Sequence, residues 1–118
     1  MFNFLKSIVT YKVKDIEAKL FPAPGCTYGG KGEVEFEVNS NGVAQLEVEL
    51  KHTGIPNGCI VDVVANGMTL ASVSPMNGFI KQHFEFNEID QQSTLESGDI
   101  IEMKIDGQTL YSGSFQRD

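Results

Sequence analysis

The sequence predicts an all-β fold: an antiparallel sandwich or barrel of seven or eight strands, preceded by a short N-terminal helical segment. Apolar and polar residues alternate over most of the chain, and Gly, Pro or Asn lies at nearly every junction between the alternating runs. Alternation is the strand pattern, because successive side chains leave a strand on opposite faces. The runs recur about every ten residues, a spacing typical of sandwiches and barrels.

The clearest element is a hairpin between Gly32 and Leu50, whose two runs alternate around a glycine turn. Residues opposite each other in a sheet share a face, so the apolar residues of one run must pair with those of the other. This requirement predicts Phe36 opposite Leu46. It also leaves residues 40–42 as a three-residue loop, with Gly42 at the position that favours a left-handed conformation.

The same register places Glu35 opposite Glu47, and Glu33 opposite Glu49, on the other face of the hairpin. One interpretation is a solvated face that resists aggregation, with lysines of a third strand alongside. A second interpretation is a surface that binds a cation or a basic partner. The sequence leaves both open.

The other strands follow from the same pattern. Residues 14–20 form the first strand, and residues 79–87 form a later one. Asn66-Gly67 predicts a hairpin with a type I′ turn, in the register that places Val63 opposite Leu70. A last hairpin spans residues 99–115 around residues 106–107, with a bulge at Gly113 that returns Phe115 to the core.

Residues 1–13 are predicted to be a separate amphipathic segment, and residues 14–118 a single β domain. Apolar residues recur at helical spacing in this segment; they are Phe2, Leu5, Ile8, Val9 and Val13. The segment either covers an open part of the sheet, associates with another copy through Phe2, Leu5 and Val9, or lies on an anionic membrane through its lysines.

Composition and charge restrict the class of protein. At 118 residues with 41% hydrophobic content, the chain is long enough for one globular core. A net charge of −7 argues against nucleic acid as a partner. Neither a membrane-spanning stretch nor a secretory signal is visible, so a cytoplasmic location is expected, and membrane binding is not favoured. Two cysteines do not make a disulfide scaffold.

The sequence contains no recognisable nucleophile arrangement, phosphate loop, dinucleotide fingerprint or zinc-protease motif, which predicts a non-enzymatic protein without a cofactor. If the strands run alternately up and down, loops 22–31, 51–59, 75–78 and 106–107 share one end. That end would carry Tyr28 and three weak candidates for a soft-metal site, Cys26, His52 and Cys59. The two cysteines are either isolated thiols or a disulfide pair.

The sequence thus predicts a non-enzymatic β module that binds a partner protein or assembles with itself. The candidate partner-binding residues are Phe2, Leu5, Val9 and Tyr28. The alternative is a module that binds a small molecule, a carbohydrate or a metal through loop-end residues. The absence of Trp argues against a carbohydrate site, which usually presents exposed aromatic platforms.

Overall fold

A computed structural model describes residues 11–87 and 95–117 of the chain. In that part, all the regular secondary structure is β-strand. The strands are β1 (Lys12–Pro22), β2 (Lys31–Asn39), β3 (Val43–Lys51), β4 (Val61–Ala65), β5 (Met68–Val73), β6 (Phe79–Asn87), β7 (Ile100–Ile105) and β8 (Gln108–Arg117). They form one antiparallel sheet in the order β5-β4-β7-β8-β1-β2-β3-β6, which curls into a nearly closed, barrel-like shape. The predicted all-β class is confirmed.

The predicted N-terminal helix is not supported. The described residues contain no helix, and Lys12 and Val13, the end of the predicted segment, already belong to β1. Lys12 pairs with Asn39 of β2, so pairing with a neighbouring strand outweighs the local helical spacing. Phe2, Leu5 and Val9 lie outside the described residues.

The core fills the inside of the curled sheet and draws on every strand. Its largest fully buried side chains include Tyr111, Phe36, Phe115, Leu20 and Leu46. Side chains at alternate positions are buried along β2 and β3, as expected for strands with one face on the core and one in solvent. The other face of these strands is therefore available for function.

The predicted register of the central hairpin is confirmed. Phe36 lies opposite Leu46 and Val34 opposite Val48. Gly42 has φ of 86°, and its N–H donates to the carbonyl oxygen of Asn39 at 3.0 Å. The alternation and the turn residue were therefore sufficient to define this hairpin.

The predicted register of the β4–β5 hairpin holds beside the turn, where Ala65 pairs with Met68, and is wrong by one residue from Val63 onward. Asn66 and Gly67 both have positive φ, as a type I′ turn requires, but Val63 lies opposite Ala71 and not opposite Leu70. The register shifts between Val63 and Val64. Leu70 and Val73 are both buried although they are three residues apart, so an irregularity is needed to bring both to the core.

The irregularity predicted at Gly113 also lies elsewhere. Phe115 is buried as expected, but the register of β7 against β8 shifts between Met103 and Lys104. Gly113 has a different role, because an added Cβ would overlap the backbone oxygen of Lys19 on β1. This glycine allows the neighbouring strands to approach closely where the sheet curls.

Candidate functional site

The outward side chains of β1, β2, β3 and β6 form a continuous surface that we call the acidic face. Pairing between the four strands arranges these side chains in three rows that run across the sheet. The rows are Asp15-Glu37-Gln45-Glu85, Glu17-Glu35-Glu47-His83 and Lys19-Glu33-Glu49-Lys81. Eight of the twelve positions carry a carboxyl group. The glutamates of the central hairpin are therefore the middle of a larger surface.

A bulge in β1 adds a cation to this face. The pairing of β1 with β2 shifts between Lys12 and Lys14. In a regular strand, residues three apart point to opposite faces, whereas the extra residue places Lys12 and Asp15 on the same one. The Lys12 ammonium Nζ lies 2.9 Å from Glu37 Oε1 and 3.1 Å from Asp15 Oδ2. The face thus holds a lysine of its own chain between two carboxylates.

Asp15, Glu35 and Glu37 form the densest part of the acidic face. One carboxylate oxygen from each can be chosen so that all three lie within 4.8 Å of one another. Asp15 Oδ1 is buried and has no hydrogen-bond partner among the described residues. Three carboxyl groups this close repel each other when all are ionised.

The pKa values of two groups follow from this crowding. Partial burial raises the pKa of Glu35 to about 8, and the neighbouring Asp15 and Glu37 act in the same direction. Glu35 is therefore largely protonated at neutral pH. Hydrogen bonds to Glu37 and Asp15 raise the pKa of Lys12, which stays charged.

Cations are distributed unevenly over the acidic face. Lys81 Nζ is 3.8 Å and Lys51 Nζ 3.6 Å from the Glu49 carboxylate, at the end of the face near the β1–β2 loop. Within the described ranges, neither Glu33 nor Glu35 has an ion-pair partner within 4.0 Å. The centre of the face therefore retains carboxyl groups that a basic group from outside can reach.

Hydrogen bonds join three of the four loops predicted to share one end, namely 22–31, 51–59 and 75–78. Thr53 N–H donates to Gly78 O at 3.0 Å, and Gly54 N–H donates to Tyr28 O at 2.8 Å. Tyr28 is 36% exposed there. Cys26 and Cys59 are half-buried free thiols that pack against the core.

The three soft-metal candidates do not make a ligand set in this structure. Among the described residues, Asp15, Glu35 and Glu37 are the one group of three or more His, Cys, Asp or Glu side chains close enough to hold a metal ion. Cys26, His52 and Cys59 do not belong to it. His52 is exposed, and its ring contacts Phe79 edge-on at 5.1 Å between centroids. Sharing one end of the barrel is therefore not sufficient to build a site from these residues.

Tyr111 is a buried polar residue that the sequence analysis did not single out. Its phenol oxygen lies 2.8 Å from Thr53 Oγ1 and donates to the backbone oxygen of Gly29. Burial raises the pKa of Tyr111, although the bond to Thr53 opposes this. The network joins β8 to two loops, and its role is to hold that end of the barrel together.

A groove of about 530 Å³ lies on the outer surface between β1 and β8, beside the exposed ring of Phe21. Its lining mixes acidic Glu17 with basic Lys19 and Arg117. Neither Tyr28 nor His52 lines it, so the groove is separate from the loop-end residues of the small-molecule alternative.

Comparison with known proteins gives no family for this chain, because no family model and no curated protein matches it. In the part of the chain that the structure describes, none of the elements is a helix long and apolar enough to cross a membrane.

Proposed function

We propose that this protein is a non-enzymatic β module that binds a basic segment of a partner protein on its acidic face. The observation that carries the proposal is the position of Lys12, whose ammonium group lies 2.9 Å from Glu37 and 3.1 Å from Asp15. These ion pairs within the chain support the proposal, because a lysine of a partner would make the same kind of contact with the other carboxylates of the face.

The geometry favours a basic segment over a single metal ion. A metal at Asp15, Glu35 and Glu37 must compete with Lys12 for two of the three carboxylates. It must also displace the proton of Glu35, whose pKa is about 8. Lys or Arg side chains can instead reach Glu33 and Glu47 along the rows, and Glu35 once it has lost its proton. Each of these ion pairs is partly exposed and contributes modestly. Several such contacts add up to useful affinity and a fast association rate.

The test is titration of the folded protein with a fluorescent decalysine peptide, with decaglutamate as the negative control. The double variant E35Q/E47Q removes two carboxyl groups from the face. The matched control D62N/E102Q removes two from β4 and β7, on another part of the barrel. At a pH above 8, where Glu35 is ionised, we expect the face variant to weaken decalysine binding about tenfold, and the control to change it less than about twofold.

Binding should also depend on pH. A bound ammonium group favours the ionised form of Glu35, so affinity for decalysine should rise as the pH increases through about 8. Equal losses in the two double variants would mean that only the net charge attracts the peptide. If calcium at a concentration equal to that of the protein displaces decalysine, the acidic face is a cation site instead. Either result overturns the proposal.

A further inference from the structure

The two ends of the sheet, β5 and β6, have unequal edges. In the described part of the chain, no strand pairs with the outer edge of either. β5 has six residues, and its pairing with β4 contains a register shift. β6 has nine residues, no proline, and an unbroken register against β3. Short or bulged edges are protected against pairing with another chain, whereas long regular edges are not.

The direction of the backbone groups in β6 follows from one contact. Phe79 exchanges both of its hydrogen bonds with Met76, which lies on the side away from β3. In an antiparallel strand, alternate residues direct their N–H and C=O to alternate sides. Lys81, His83 and Glu85 therefore present their backbone groups to the open edge. Ile80, Gln82 and Phe84 present theirs to β3.

Within residues 11–87 and 95–117, the core is also less completely covered along this edge. Ile80, at the start of β6, is 1% exposed, but Phe84 and Phe86, on the same inward face, are only partly buried, and Gln82 is exposed. Both backbone groups and apolar surface are thus available beside β6.

We propose that β6 pairs antiparallel with β6 of a second copy of this chain, with His83 opposite itself on the two-fold axis. Phe79 is already bonded to Met76, so this register pairs the edge groups of Lys81, His83 and Glu85, and it places Lys81 opposite Glu85 of the second copy, twice. In the chain alone, Glu85 faces the uncharged Gln45. Opposite charges at paired positions stabilise a sheet, and like charges destabilise it.

Neighbouring registers lack this complementarity. A shift of two residues in one direction places Lys81 opposite His83 of the second copy. A shift of two in the other direction places Lys81 opposite the uncharged Asn87. Neither shift pairs Lys81 with Glu85. The strand is therefore self-complementary in one register, as a closed two-fold interface requires.

The dimer goes beyond the proposed function. The two-fold axis of such a pair is perpendicular to the sheet, so the acidic faces of both copies lie on the same side. A basic segment of a partner would then bind to a single acidic surface made of both faces, twice as wide as one face alone. Dimerisation is measured without any peptide, so its failure and the failure of decalysine binding are separate results.

The test is sedimentation equilibrium of single charge reversals and their mixture. K81E places acidic groups opposite each other, and E85K places basic groups opposite each other, so we expect each alone to raise the dimer dissociation constant at least tenfold. An equimolar mixture restores both opposite-charge pairs and should form heterodimers. The control is K19E, because Lys19 on β1 is as exposed as Lys81, each with 71% of its side chain accessible. K19E should leave the dimer unchanged.

A backbone variant gives an independent readout. In H83P the lost N–H points to the open edge and not to β3, so the variant should fold and remain monomeric; circular dichroism checks the fold. A wild-type chain that stays monomeric at millimolar concentration would overturn the proposal and leave Lys81 as a residue that protects the edge. If the mixture of K81E and E85K forms no heterodimer, the proposed register is wrong.

Discussion

The pKa of Glu35 reflects the groups that surround its side chain. Its neighbours across the sheet are Glu17 and Glu47, and Asp15 and Glu37 lie beside it. Its pKa in the fold is about 8, against an ordinary value of 4.5. A carboxyl group with a raised pKa binds more protons in the folded than in the unfolded state between these two values. Its contribution to stability therefore falls as the pH rises from 4.5 to about 8.

We predict that E35Q makes the protein more stable at alkaline pH. The amide keeps the shape of the protonated carboxyl group but cannot ionise. The free energy of unfolding should rise by about 1 kcal/mol at a pH above 8, with little change near pH 5. Urea denaturation at the two pH values measures this.

Glu33, on the same strand and face, provides the matched control as E33Q, measured at the same two pH values. The interpretation fails if E35Q and the wild-type chain lose stability equally as the pH rises.

Individual residues were the hardest feature to predict from the sequence. Tyr111 looks like one more aromatic residue in the last strand. Its hydrogen bonds reach Thr53 and Gly29, 58 and 82 residues away. Lys12 meets Asp15 and Glu37 only because of a bulge, which the local pattern does not reveal. Such contacts depend on the tertiary pairing of distant segments.

Elements were predictable where one face is buried and the turn residue is specific. The β2–β3 hairpin satisfies both conditions, and its register agrees residue by residue. In β5, Leu70 and Val73 are both required in the core, so packing introduced an irregularity that the turn sequence did not predict. The predicted N-terminal helix is not supported for a related reason, since Lys12 and Val13 belong to β1 and Lys12 pairs with Asn39 of β2.

We predict that G113A destabilises the protein strongly. The added methyl group would overlap the backbone oxygen of Lys19, and backbone atoms of a paired strand cannot move aside easily. Thermal or urea unfolding should show a loss of about 2–3 kcal/mol.

The matched control is G54A. Its added Cβ would lie 3.3 Å from the backbone oxygen of Tyr28, in a loop that can adjust. G54A should cost less than half as much. Equal costs would show that the strands at Gly113 separate to admit a side chain.

At the scale of the whole molecule, charge is concentrated and not spread. The protein has a net charge of −7, and eight carboxyl groups lie on four neighbouring strands. The acidic hairpin was visible in the sequence. The contribution of β1 and β6 can be recognised only once the strand order is known. β6 pairs with β3 although β4 and β5 lie between them in the sequence, at the other end of the sheet.

We predict that sodium chloride stabilises the fold. Glu33 faces Glu49 and Glu35 faces Glu47, so at a pH above 8, where Glu35 is ionised, screening relieves repulsion across the sheet. The melting temperature should rise by a few degrees between about 20 mM and 500 mM salt. Choline chloride should act similarly if screening is the cause. The increment should be smaller in E35Q/E47Q, and a melting temperature that falls with salt would contradict this account.

The pairing of β1 with β8 has a consequence for the order of events during synthesis. Ile16 lies opposite Arg117, so the sheet joins segments about a hundred residues apart. While the chain is being made, β1 can pair with β2, but its second neighbour does not yet exist. Until residues 108–117 leave the ribosome, that side of β1 is an unpaired edge. The nascent chain is therefore most vulnerable to aggregation just before β8 emerges.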